Sequence, residues 1–397
     1  MKKSTGFRVP LVKNALINNK QALQALSTFI LKTDRLSMGN YCHAFELAFA
    51  KKQKRKYAIL FNSGGSANLA MIQTLKNLGK LKNKDKVGFS SLTWSTNVMP
   101  IIQLGLEAIP VDCDPTTLNS MSKNAIKILE KEKCSAFFLT NALGFAGDID
   151  IIEKECKKRG IIVLEDNCEA LGTELNKGKT GNFGLASSFS FFVAHHMSTI
   201  EGGMVCTDND NFAEMLKIVR ANGWDRNISP ERQIYWRNKF GIESDFQAKY
   251  TFYDLGYNLR PTEITGFLGL HQLKFLDKTT KIREKNFRRI YKVLKENGDF
   301  LPLNWKHIKI ISAFAIPLIC KNPKLREKYI RRFEKMGVEV RPMIAGNMQR
   351  QPFYKKYSSK NYNLPGADII HYNGFYCGNC PDYTEEELKI IIGCIKK

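Results

Sequence analysis

Four stretches of this chain carry residues whose types and spacing can do chemistry. Asn62-Ser63-Gly64-Gly65-Ser66-Ala67-Asn68 follows an apolar run and opens an apolar helix (Leu69, Met71, Ile72, Leu75). A strand that turns into a helix through small residues presents free backbone N–H groups and the positive end of the helix dipole, a seat for a phosphate at Gly65 and Ser66. The spacing is neither the Walker pattern nor GxGxxG, and a tight turn that merely needs glycine is the competing reading. Asp166 stands just past the apolar run Ile161–Glu165. A carboxylate there can face a protonated ring nitrogen or simply cap the next helix. Trp94, within the polar text Ser90–Asn97, can stack on a flat ring or pack into a core or interface. The fourth stretch runs from Ser188 to Gly203 and contains Ser190, the pair His195-His196 and Glu201-Gly202-Gly203. Its histidines can move a proton near neutral pH.

These groups fall at the ends of strand-like runs. Tyr57–Phe61, Lys86–Phe89, Glu107–Val111, Ala136–Thr140, Ile161–Glu165, Ser187–Phe192 and Gly203–Cys206 are short and apolar, and most are separated by helical text, as at 148–159. That alternation predicts βαβ units and a mostly parallel sheet, which binds ligands at the C-terminal ends of its strands. After residue 262 long helical text (263–296) leads to strand text at Ile308–Ile316 and Val338–Arg341 and to a capped helix after Thr384. The expected layout is a large α/β domain over 1–265 and a smaller α+β domain over 266–397.

With 397 residues, 43% hydrophobic and 25% charged, the chain has an ordinary globular composition. No apolar run reaches the roughly 20 residues that span a bilayer. The basic start leads into no apolar segment of the signal-peptide kind, so a cytoplasmic protein without membrane contact is expected. Lys+Arg outnumber Asp+Glu by 61 to 38, for a formal +23. The lysines are scattered rather than gathered into one basic, aromatic-interleaved stripe, which argues against nucleic acid; the field still favours a small anionic substrate. The ten cysteines are scattered and read as free thiols. Cys377-Gly-Asn-Cys380 has no second pair, and no metal site is expected.

Taken together the motifs resemble the DegT/DnrJ/EryC1/StrS sugar aminotransferases. In that family a serine is followed five residues later by the lysine that tethers pyridoxal phosphate (PLP), then six residues on by Glu-Gly-Gly. Ser190, position 195 and Glu201-Gly202-Gly203 keep this spacing, and the likeness runs from about Gly39 through Gly256–Glu263 into the C-terminal part. Position 195 is histidine, which cannot form an imine with PLP. The branch of the family with this exchange is that of sugar 3-dehydratases dependent on pyridoxamine phosphate (PMP), and Ala194-His195-His196, Arg341–Asn347, Leu364–Asp368 and His371–Phe375 resemble it. Members acting on CDP-sugars carry an iron–sulfur cluster held partly by cysteines after the Arg-x-x-Gly segment. Here that segment begins at Arg220 and no cysteine lies between 207 and 319, so no cluster is expected.

The resemblance implies the fold-type I, aspartate aminotransferase-like architecture, PMP/PLP as cofactor, and dehydration at C3 of a nucleotide-linked 4-keto-6-deoxy sugar, with glutamate restoring PMP. It implies His195 as the proton-transfer group, Asp166 on the ring nitrogen, Trp94 over the ring, Glu169 near the ring hydroxyl, and Gly65, Ser66 and Ser190 on the phosphate. Asn222 would reach the partner's cofactor in a homodimer with shared sites, and Arg341, Asn347 and Arg350 are candidates for the nucleotide sugar. A PLP/PMP-dependent aminotransferase and a catalytically silent homologue with a binding role remain the alternatives.

Overall fold

The computed structural model describes residues 6–397. Its centre is a seven-stranded sheet. Tyr57–Phe61 (β1), Lys86–Ser90 (β2), Glu107–Val111 (β3), Ala136–Thr140 (β4) and Ile162–Asp166 (β5) come first in the chain. A small hairpin follows, Glu174–Leu175 (β6) and Gly178–Lys179 (β7), and then Ala186–Ser190 (β8) and Gly203–Thr207 (β9) return to the centre. The spatial order is β1-β9-β8-β5-β4-β2-β3. The pairs β2–β3, β2–β4, β4–β5 and β5–β8 are parallel, whereas β9 runs antiparallel to both β8 and β1. Six strands therefore share one direction, and the fold is the expected mostly parallel α/β sheet.

Helices cover both faces, so alternate residues of one strand feed different cores. In β4, Phe137 and Leu139 join the cluster shared with the helices Ser122–Lys131 and Ile149–Lys158, while Ala136 and Phe138 pack with Met71, Ile72 and Leu75 of Gly64–Asn77. Burial on both faces is why these strands read as unbroken apolar runs.

The later part of the chain forms a second, antiparallel sheet of Ala315–Ile319 (β11), Val340–Pro342 (β12) and Gly374–Gly378 (β13), ordered β11-β13-β12. The helical text over 263–296 divides into Glu263–Leu273, which packs on Asn40–Gln53, and Leu276–Leu294, which packs on Glu385–Ile395. The latter helix has the expected capping box on Thr384 and Glu387. The stretch 308–316 is not one strand. Ile308–Ile310 (β10) joins the β6–β7 hairpin, and β11 starts a separate sheet. The chain between them is fixed sideways. Ser312 N–H donates to Thr173 Oγ1 (3.1 Å), and its carbonyl crosses so close to Gly144 (φ 88°) that a Cβ there would lie 2.2 Å away.

The same closeness joins β9 to the turn after β1, where a Cβ on Gly203 would sit 2.1 Å from the Ser63 carbonyl oxygen. Backbone cannot yield as a flexible side chain does, so Gly203→Ala should destabilise the fold by about 1–3 kcal/mol. Urea unfolding measures this; an unchanged midpoint would show that the strand and the turn are not so tightly apposed.

Candidate active site

A cavity of ≈ 390 Å³ opens at the C-terminal ends of β1, β5 and β8. Gly64 and Gly65 form one wall. Ser63 caps the helix Gly64–Asn77, its Oγ accepting the Ser66 N–H at 3.0 Å, which leaves the first-turn N–H groups of both glycines without intrahelical partners. Gly64 also lets Ser190 approach, since a Cβ there would meet the Ser190 Cβ at 2.7 Å. Small residues, unpaired N–H groups and a serine hydroxyl form a cradle suited to phosphate.

Asp166, the last residue of β5, lies on the cavity floor. Asn68 Nδ2 (3.1 Å), Asn97 Nδ2 (2.7 Å) and the Cys168 N–H (2.8 Å) all donate to its carboxylate. Three donors fix its orientation and leave it an acceptor for a further N–H. Trp94 overhangs the opening and is 58% exposed.

His195 closes the far wall. Its Nδ1 lies 2.6 Å from the Cys168 carbonyl oxygen. A carbonyl can only accept, so the neutral ring carries its proton on Nδ1 and keeps the Nε2 lone pair free. Burial pushes the proton affinity of this imidazole below its ordinary value, against the upward pull of the Cys168 carbonyl and of Asp166. A neutral ring with one free lone pair is a general base at neutral pH.

Glu169 lines the same cavity and accepts the Leu143 N–H at 3.0 Å. Burial lifts its carboxyl from 4.5 to about 8, reinforced by the charge of Asp166. The folded protein thus holds this proton more tightly than the unfolded chain. The associated stability is present below pH ~4.5 and is lost as pH rises through ~8. Glu169→Gln should therefore match the parent near pH 4 and exceed it by ~1 kcal/mol or more near pH 9. Melting curves of cofactor-free protein at the two pH values test this; parallel curves at both would refute it.

The sequence profile of the DegT/DnrJ/EryC1/StrS aminotransferase family matches residues 18–396. The chain belongs to this family. It is 32% identical over 376 residues to GDP-4-keto-6-deoxy-D-mannose 3-dehydratase of Yersinia pseudotuberculosis, covering 93% of this chain and 94% of that one. Crystal structures of a GDP-4-keto-6-deoxymannose-3-dehydratase superimpose closely. A histidine-to-asparagine mutant with bound GDP-perosamine gives a TM-score of 0.89 at 30% identity, over 98% of this chain and all of that one. A form with a trapped PLP-glutamate geminal diamine gives 0.87 at 30% identity with the same coverage.

The structure gathers most of the DegT-family candidates into one place. His195, Gly65, Trp94, Asp166, Glu169 and Ser190 all line the cavity, together with Glu201. Ser66 lies one step behind, its N–H and hydroxyl both engaged with Ser63. His196 turns away from the cavity; it is buried, with Nε2 2.8 Å from the Ser312 carbonyl oxygen. Asn222 is outside, in a left-handed turn (φ 59°) whose N–H bonds the Tyr257 carbonyl.

Three expected substrate contacts are placed differently. Asn347 is buried and caps a short turn, with Nδ2 donating to Asp368 Oδ1 at 2.7 Å. Arg350 holds both oxygens of Asp368, at 2.6 and 2.7 Å. Arg341 pairs with Glu339 at 2.5 Å on β12, in register with Tyr376. None of the three lines the cavity, and each has a neighbouring carboxylate as partner. Asn68 and Asn97 escaped the sequence reading although both sit inside its motifs. Phe314, Ile344 and Tyr376, which complete the walls, come from the later part of the chain and carry no local signal.

Proposed function

We propose that the protein removes the C3 hydroxyl of a nucleotide-linked 4-keto-6-deoxy sugar with PMP as cofactor, glutamate restoring the PMP, in 3,6-dideoxysugar synthesis for surface glycans. The proposal rests on His195. In a family that tethers its cofactor through lysine, this position holds an imidazole whose Nδ1–H is committed to the Cys168 carbonyl, so the residue can accept a proton but cannot bond the cofactor. The similarity to 3-dehydratases along almost the whole chain supports the same reading. PMP would supply an amine for the sugar's C4 ketone and a ring that takes up the electron pair left when a proton is removed.

The chain's own residues do the rest. Gly64, Gly65 and Ser190 would bind the phosphate, Asp166 would hold the ring nitrogen as N–H, and Trp94 would cover the ring. Glu169, protonated at neutral pH, would donate to the ring hydroxyl. His195 Nε2 would take the proton next to the ring and return it to the departing C3 hydroxyl. The products would be the 4-keto-3,6-dideoxy sugar, ammonia and, from glutamate, 2-oxoglutarate.

A cytoplasmic homodimer belongs to the same proposal, with Asn222 reaching the partner's cofactor phosphate. In support, the Asn222 turn borders a cavity of ≈ 510 Å³ on another face, lined by Arg35, Arg226 and Arg260, and the nearby Phe246, Tyr250 and Leu255 are more than two-thirds exposed. Among the described residues no helix is long and apolar enough to cross a membrane. Arg341, exposed beside Tyr376, is the remaining candidate for the nucleotide diphosphate.

The deciding experiment incubates the purified protein with PMP, glutamate and a panel of nucleotide-linked 4-keto-6-deoxy sugars, followed by mass spectrometry and an ammonia assay. Loss of the C3 oxygen with ammonia release is expected. A stable amino sugar would make the protein an aminotransferase, and failure to bind PMP would make it a silent homologue.

A further inference from the structure

A second cavity, of ≈ 90 Å³, shares His195, Phe314 and Tyr376 with the first and extends beneath the N-terminal segment 11–17. Arg283, from the helix Leu276–Leu294, lines it and is only 6% exposed. Its Nη1 donates to the carbonyls of Phe314 (3.1 Å) and Asn379 (2.6 Å), and its Nε has no partner. No carboxylate lies within ion-pair distance of it among the described residues. His196, 2% exposed, lines the same space with an unpartnered Nδ1. The one acid among the lining residues, Asp382, is exposed at the rim and accepts from Asn14 Nδ2 at 3.1 Å.

A guanidinium stays charged even when buried, and a buried charge with only carbonyls for company is costly unless a counter-charge is near. The polar groups that could otherwise compensate are occupied. Gln272 is engaged with the Ile17 backbone through both ends of its amide, and the His196 Nε2–H is taken by Ser312.

We propose that this cavity is a binding site for a small monovalent anion, a halide or a short carboxylate, held by Arg283 behind the loop that carries His195. The anion accepts from the guanidinium edge. A water between it and His196 donates one O–H to Nδ1 and the other to the anion, which satisfies both orphaned nitrogens. Because the 193–198 loop is the shared wall, the site lies beside the proton-transfer residue without touching the space a substrate would fill.

The test follows the melting temperature of the protein at constant ionic strength as gluconate is exchanged for chloride, formate or acetate. A saturable rise of about 2 °C is expected and should vanish in Arg283→Met. No anion-specific rise, or an equal rise in the variant, overturns the site. Should Arg283→Met not fold, chloride NMR line broadening on the unaltered protein decides. Broadening that Asp382→Asn strengthens at least twofold by removing a like charge upholds the proposal. Absent broadening, or broadening indifferent to Asp382→Asn, overturns it. A rise with chloride alone, or broadening that formate leaves in place, would assign a halide site; a rise with formate or acetate as well, or broadening that formate reverses, would assign a carboxylate-tolerant one.

Discussion

His195→Asn is expected to lower turnover by about 10²- to 10⁴-fold, the usual worth of a positioned proton-transfer group, while cofactor affinity changes little. The amide can still donate to the Cys168 carbonyl through Nδ2, so the loop should keep its course. What it lacks is the Nε2 lone pair, which in the parent is free because Nδ1 carries the proton at 2.6 Å from that carbonyl. His195→Lys separates a proton-transfer role from a packing role. Its primary amine stands where the family's tethering lysine would, so the variant should hold PLP covalently, with a matching mass increase after borohydride reduction, and should lose dehydration. The assignment of position 195 to the cofactor fails if His195→Asn retains parental turnover or His195→Lys leaves PLP unbound.

Local order explains which parts of the site were visible in the sequence. Gly65, Asp166, Ser190 and His195 end or follow parallel strands of one sheet, and such strands deliver their C-terminal ends to one edge. Their order along the chain was therefore enough to bring them together. β4, buried at all five residues, was legible for the same reason: both its faces meet helices. The two-residue strands β6 and β7 have no periodicity to detect. The break between β10 and β11 depends on where Ser312 meets Gly144, two positions far apart in the chain. Asn347 and Arg350 show the other limit. Sequence reveals an arginine's charge but not its partner, and here Asp368 accepts from both residues.

Asp166→Asn should cost about 10²- to 10³-fold in turnover, the scale on which removal of one preorganised charge-stabilising group is felt. In the parent, Asn68, Asn97 and the Cys168 N–H all donate to this carboxylate, so it meets the cavity as an acceptor. An asparagine keeps one acceptor oxygen but turns an NH₂ toward donors that also carry N–H, and it offers no charge to hold a proton on a ring nitrogen. The ring would then be a weaker store for the electron pair that His195 releases, and the loss should appear in kcat. Asp166→Ala is a different perturbation. It strands three N–H groups in a buried site, at about 1–3 kcal/mol for each one left unsatisfied, so it should unfold measurably earlier. Comparing the two variants separates electrostatics from architecture: if Asp166→Asn loses stability as heavily as Asp166→Ala while its remaining folded fraction turns over at the parental rate, Asp166 holds the strand end together and does nothing for the ring.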